Sequence, residues 1–154
     1  GRFASVTALE PDRRSFRKLS AWAEAHLSGA VELVQAGAWS SDTIQHFTDR
    51  AGRQSRVAAQ GRETQMRALD SVLHGRPCTY LKMDVEGAER EALRGAAQTI
   101  RTWQPKLNIA AYHRSADFFE LPLLVHAMCP AYRLYLRHHP YVPAWDTNLY
   151  AVPR

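Results

Sequence analysis

Cysteine is scarce in this 154-residue chain: Cys78 and Cys129 stand alone, with no CxxC spacing. That excludes a small disulfide scaffold and fits a reduced compartment. Apolar runs never approach the ~20 residues that cross a bilayer, and nothing near Gly1 reads as a signal peptide, so a cytoplasmic protein is expected. The eight glycines form no Gly-x-Gly, and no tyrosine is followed four residues later by lysine. Both absences argue against a nicotinamide-dependent reductase. No HxxxH or HExxH spacing occurs among the seven histidines, so no metal centre is expected. With 45% apolar and 23% charged residues, the chain is instead ordinary for a globular domain able to bury a core.

The net charge is +5, carried by arginine far more than lysine. Such a balance can favour a polyanion. The arginines are spread from Arg2 to Arg154, however, and the densest stretch, Arg50, Arg53, Arg56, Arg62 and Arg67, contains no aromatic residue on which a base could stack. A solvated loop is the expectation there, and no nucleic-acid partner.

No repeat or linker divides the chain, and its periodicity alternates between strands and helices. Val6–Leu9 reads as a strand ending at Glu10-Pro11-Asp12. A helix then places Phe16, Leu19, Ala23 and Leu27 on one face and stops at Gly29. Val31–Val34 is a second strand, and Ile44–Phe47 with Arg56–Ala59 suggests a hairpin. Leu69–Leu73 reads as a helical turn and Thr79–Val85 as a buried strand. A helix beginning near Gly87 buries Leu93, Ala96, Ile100 and Trp103 until Pro105 stops it. Leu107–Tyr112 is a strand, and Ser115 or Asp117 caps a helix carrying Leu121, Leu124, Val125 and Met128. Two final strands span Tyr132–Leu136 and Asn148–Val152. This alternation predicts an α/β fold with a mainly parallel sheet, whose ligands lie beyond the carboxyl ends of the strands.

Two strand ends carry the candidate chemistry. Glu10 can accept hydrogen bonds from both hydroxyls of a nucleoside ribose; equally, Glu10 and Asp12 suit the start of a helix. The run Lys82-Met83-Asp84-Val85-Glu86-Gly87-Ala88-Glu89 packs charge around the end of an apolar strand. A buried Asp84 needs a cationic partner, either a sulfonium or ammonium ligand or Lys82. Glu86 is a second candidate, or a helix residue paired with Arg90. Gly87 permits close backbone approach.

These residues carry a family resemblance that runs nearly end to end. Its pieces are Ala8-Leu9-Glu10-Pro11-Asp12, Gly37-Ala38-Trp39-Ser40, Ala68-Leu69-Asp70 and Leu81–Glu89 continuing through Leu93-Arg94-Gly95-Ala96. Ala111-Tyr112-His113, Tyr135–His138 and Leu149-Tyr150-Ala151 complete it. The sequence resembles the FkbM-type S-adenosylmethionine-dependent methyltransferases. The resemblance implies a Rossmann-like class I methyltransferase fold with helices on both faces of the sheet, and methyl transfer to a hydroxyl of a sugar or natural-product-like molecule. By the same pattern Glu10, with Asp12 beside it, holds the cofactor ribose. Ala38 and Trp39 lie beside the adenine and Asp84 near the methionine end. The usual first strand with its glycine-rich turn has no counterpart here, so residues 1–154 are expected to be the carboxyl-terminal portion of one methyltransferase domain. The two sheet edges so exposed make self-association an expectation.

For proton removal from the acceptor, the candidates are His113, Asp84 and Glu86, with histidine suited to neutral pH. His113 can alternatively hydrogen-bond within its loop. His138 and His139, before Pro140, face either an acceptor pocket or solvent. Tyr132, Tyr135, Tyr141, Tyr150 and Trp145 offer faces for a flat acceptor or for packing. The alternative function is a cofactor-free assembly or interaction module derived from the fold. No membrane partner is expected.

Overall fold

The computed structural model describes residues 3–27, 29–47, 62–140 and 146–154, with the side chains of Phe47 and Arg62 not described. They form two compact units, one of residues up to Gly37 plus Asp42–Arg67, the other of Ala38–Ser41 plus Ala68–Arg154.

In the first unit, β1 (Ser5–Leu9) and β2 (Ala30–Val34) pair in parallel, from Ser5 opposite Ala30 to Leu9 opposite Val34. Parallel neighbours need a crossover, and α1 (Arg13–His26) supplies it. The helix starts where it does because the Asp12 carboxylate accepts from the N–H groups of Arg14 and Ser15, at 3.0 and 2.8 Å. Its expected inward face is partly realised: Ala23 is buried, Phe16 and Leu19 are half-buried and Leu27 is exposed. After the short β3 (Gly37–Ala38), β4 (Thr43–Phe47) runs antiparallel to β5 (Arg62–Arg67), Thr43 facing Met66. The hairpin arm expected at 56–59 lies outside the described residues; the strand that pairs with β4 is β5. Arg67 meets Asp42 at 3.0 Å, so it is a structural ion pair. Arg50, Arg53 and Arg56 lie outside the described residues.

The second unit holds a four-stranded sheet of order β6-β7-β9-β8, formed by β6 (Tyr80–Met83), β7 (Lys106–Ala110), β8 (Tyr132–His138) and β9 (Thr147–Pro153). Only β6–β7 is parallel; β7–β9 and β9–β8 are antiparallel. The sheets are thus mixed, where alternation alone predicts a mainly parallel one. Parallel neighbours need a crossover connection, and among the described residues no helix lies between β8 and β9. The core is built from Leu107 and Ile109 of β7, Leu149 and Ala151 of β9, and Leu121 and Val125 of α5 (Asp117–Met128), all essentially without solvent contact. Each fully buried leucine or isoleucine contributes roughly 1.5–3 kcal/mol. Leu124 and Met128 are only half-buried. α5 starts from Ala116, with no side-chain cap from Ser115, and Asp117 is its first residue.

The helix expected from Gly87 to Trp103 is two helices, α3 (Glu89–Arg94) and α4 (Ala97–Trp103), broken at Gly95-Ala96. A Cβ at Gly95 would sit 1.9 Å from the Trp39 carbonyl oxygen. The backbone of residue 39 therefore occupies the space a side chain would need. The break is capped from elsewhere in the chain. Asp70 of α2 (Leu69–Leu73) accepts from the N–H groups of Gln98 and Thr99, at 2.9 and 2.8 Å. Ile100 and Leu93 are fully buried as expected, but Trp103 is exposed, because α4 is too short to bury its last turn.

Candidate active site

The carboxyl ends of β6 and β7 lie side by side, since Met83 pairs with Ile109. That pairing brings together the segments leaving the two strands: Asp84 to Glu89 after β6, Tyr112 to Arg114 after β7. β6 ends at Met83, two residues earlier than expected, which leaves Asp84 just past the strand end, ahead of the turn at Glu86-Gly87, instead of in a buried strand. Its side chain is 39% exposed; Lys82 Nζ lies 3.7 Å from Oδ2 and the Tyr112 hydroxyl donates to Oδ1 at 3.2 Å. The buried carboxylate of the run is Glu89. As the first residue of α3 it has no solvent contact, and its Oε1 accepts from His113 Nδ1 at 2.7 Å and from the Val85 N–H at 3.0 Å.

Glu86 and Gly87 both have positive φ, 53° and 93°. The turn projects the exposed Glu86 carboxylate toward His113, whose Nε2 lies 3.6 Å from Glu86 Oε2 and 3.5 Å from Asp84 Oδ1. The positive φ at 87 favours glycine, and the Arg114 guanidinium lies 3.2 Å from where a Cβ would stand. The pairing of Glu86 with Arg90 does not form; Arg90 pairs with Glu120 and with the buried Asp117 on α5.

The electrostatics arise from this packing. Burial pulls the His113 pKa down, but the hydrogen bond and charge of Glu89, with the charges of Glu86 and Asp84, outweigh it, so the net shift is upward. Burial opposes ionisation of Glu89 as well, yet His113 outweighs it and holds Glu89 below the usual range. Desolvation first, then the charge and hydrogen bond of Asp84, push the Tyr112 phenol up to about 12. Asp117 is raised by burial and by the nearby charge of Glu89.

Asp84, Glu89 and His113 can each offer one ligand atom within 4.8 Å of the others. In this arrangement Nδ1 is already committed to Glu89, and Asp84 already has Lys82 and Tyr112. The donor set therefore works first as a hydrogen-bonded network.

Next to it, a cleft of about 340 Å³ is lined by Trp39, Gly87, Ala88 and Arg114 together with Arg90, Glu91 and Arg94 of α3. Trp39 is half-buried and Ala38 buried. In the first unit, Glu10 Oε1 accepts the Asp12 N–H at 2.7 Å, while Asp12 caps α1, so Asp12 has the helix-start role. A cleft of about 380 Å³ lies beside this turn, lined by Pro11, Arg13 and Gln35 with Glu63, Thr64 and Gln65 of β5.

The other candidates have structural roles. His138 Nδ1 meets Thr147 Oγ1 at 3.0 Å, and His139 Nε2 meets the Tyr150 hydroxyl at 3.1 Å, tying β8 to β9. The buried Tyr132 hydroxyl donates to the Pro105 carbonyl at 2.7 Å. Tyr135 is exposed with Arg137 over its ring. Tyr141 and Trp145 lie outside the described residues. Among the described residues no helix is long and apolar enough to cross a membrane.

A family model described as the methyltransferase FkbM domain matches residues 3–143. The chain belongs to the FkbM methyltransferase family. A crystal structure of methyltransferase FkbM from Methylobacillus flagellatus KT superposes with a TM-score of 0.79 at 30% identity, over 99% of this chain. The FkbM-family chain spans only 37% of that protein's length. No curated protein sequence matches it. The FkbM assignment makes the fold a mixed α/β methyltransferase fold. It also gives the run after β6 its context, in which Glu89 is the member that composition and strand alternation do not single out. The signal that finds it is spacing: Glu89 lies one helical turn beyond Asp84-Val85, where a carboxylate can reach back to the strand end.

Proposed function

We propose that this chain carries the catalytic part of an S-adenosylmethionine-dependent O-methyltransferase of Rossmann-like class I architecture, acting on a hydroxyl of a sugar or natural-product-like molecule. The observation that supports it most is the meeting of His113 Nε2 with the Asp84 and Glu86 carboxylates beyond the paired ends of β6 and β7. The donor set suits the cofactor. Two partly exposed carboxylates favour a positively charged sulfur, and Gly87 keeps the adjacent backbone approachable.

In this reading Asp84 lies near the methionine end. Glu10 takes the ribose hydroxyls through the oxygen that Asp12 leaves free, with Asp12 holding the turn in place. Ala38 and Trp39 stand against the adenine. When bound, the cofactor supplies an electrophilic methyl group. The chain's part is to position the acceptor, exclude water and remove the hydroxyl proton, which falls to His113 with Asp84 and Glu86 beside its Nε2.

The test is equilibrium binding of labelled S-adenosylmethionine to the 154-residue chain, followed by Asp84→Ala and Glu10→Ala. Each variant is expected to weaken binding about tenfold or more, the order for removing a charge-assisted contact. Undiminished affinity in both sinks the site assignment. Absence of any heat with S-adenosylhomocysteine favours the cofactor-free assembly module instead. We also propose self-association of two copies through sheet edges, since among the described residues β1 hydrogen-bonds in its sheet only to β2, and β6 only to β7.

A further inference from the structure

We infer that Glu89 is the positioning residue of this site: its buried carboxylate holds the His113 ring with the proton on Nδ1, so that Nε2 is the nitrogen presented to an acceptor hydroxyl. The inference takes its reaction from the methyl-transfer reading above, but its geometry stands without it.

A carboxylate ion only accepts hydrogen bonds, so the ring nitrogen 2.7 Å from Glu89 Oε1 carries hydrogen. The same oxygen accepts the Val85 N–H, which ties the carboxylate to the end of β6. Glu89 has no solvent contact, and its Oε2 has no hydrogen-bond partner among the described residues. An ionised carboxylate so placed depends on His113 for its stability, and the imidazole is fixed in return. Only 11% of the His113 side chain is exposed. The tilted contact with the Tyr112 ring, centroids 4.3 Å apart, further restricts its rotation.

Among the described residues Nε2 makes no hydrogen bond. The Asp84 and Glu86 oxygens, at 3.5 and 3.6 Å, lie beyond good hydrogen-bond length but within reach of its charge. The groups facing the imidazole are therefore Glu89 from α3, Asp84 and Glu86 from the segment after β6, and Tyr112 from the end of β7. Asp117 of α5 feels the charge of Glu89. In the step this arrangement serves, the acceptor O–H bond breaks and leaves its electron pair on oxygen. A new N–H bond forms at Nε2, and the imidazolium later returns that proton to solvent. Glu89 stays ionised throughout and spreads the imidazolium charge.

The experiment is long-range proton–nitrogen NMR of the His113 ring in the 154-residue chain, with His113→Ala to assign the signal. The expected wild-type result is an Nδ1–H tautomer at alkaline pH. In Glu89→Gln the titration midpoint is expected to fall by about one pH unit or more, and in Glu89→Asp to recover at least in part. An Nε2–H tautomer in the wild type overturns the proposal, as does an unchanged midpoint in a folded Glu89→Gln variant. Should Glu89→Gln fail to fold, the wild-type tautomer alone decides. Labelled S-adenosylmethionine binding, measured on the same samples, tests the methyl-transfer reading separately: a correct tautomer without binding sinks that reading and leaves the dyad standing.

Discussion

The buried carboxylate expected at Asp84 is found five residues further on, at Glu89. The pattern buries Asp84; in the structure β6 stops first, and the residue without solvent contact is Glu89, reached one helical turn later. Because Glu89 and His113 shift in opposite directions, stability should depend on pH on both sides. His113 is raised above its ordinary 6.5, so its contribution is complete below that value and is lost as pH rises through the folded pKa. Glu89 is lowered below 4.5, so its contribution is complete above that value and is lost as pH falls through the folded one. Urea unfolding across pH should therefore show a plateau between these two ordinary values, with both flanks flattened in His113→Ala. Identical profiles for wild type and variant would contradict the pairing. Glu10 and Asp12 show the other outcome: Asp12 is the helix cap that its residue type suggests, and Glu10 accepts its N–H through Oε1.

At the scale of elements, the informative failure is the helix expected from Gly87 to Trp103. Apolar spacing from Leu93 to Trp103 is continuous, and nothing local signals a break except Gly95. The break exists because the Trp39 carbonyl occupies the position of a Cβ there, and because Asp70 supplies a cap from α2 that no neighbouring residue provides. Gly95→Ala forces backbone apart in a packed region, a change that costs about 2 kcal/mol. Thermal unfolding should show a melting temperature roughly 4–8 °C lower, given about 2–4 °C per kcal/mol for a chain of this size. An unchanged melting temperature would mean that the contact with residue 39 is not held in solution. α5 is the converse case. The spacing of Leu121, Leu124, Val125 and Met128 marks its inward face, of which Leu121 and Val125 fill the core, while the equally apolar Phe119 and Leu123 stand exposed on the other side.

For the molecule as a whole, the proposed pairing of copies is tested by sedimentation of the 154-residue chain over a concentration series. A mass rising toward the dimer supports it, and a strictly monomeric mass removes it. Within its own length the sequence determined a good deal: the order of strands and helices, the strand ends where charge collects, and the family, carried by the Lys82–Glu89 run and its ordered neighbours. Those are local properties, fixed by apolar spacing, helix caps and residue type. Tertiary structure decided three other matters: which carboxylate is buried, which nitrogen of His113 is occupied, and whether strands pair in parallel. Each depends on partners brought close in space, such as Glu89 and His113, 24 residues apart, and no window of neighbouring residues contains both.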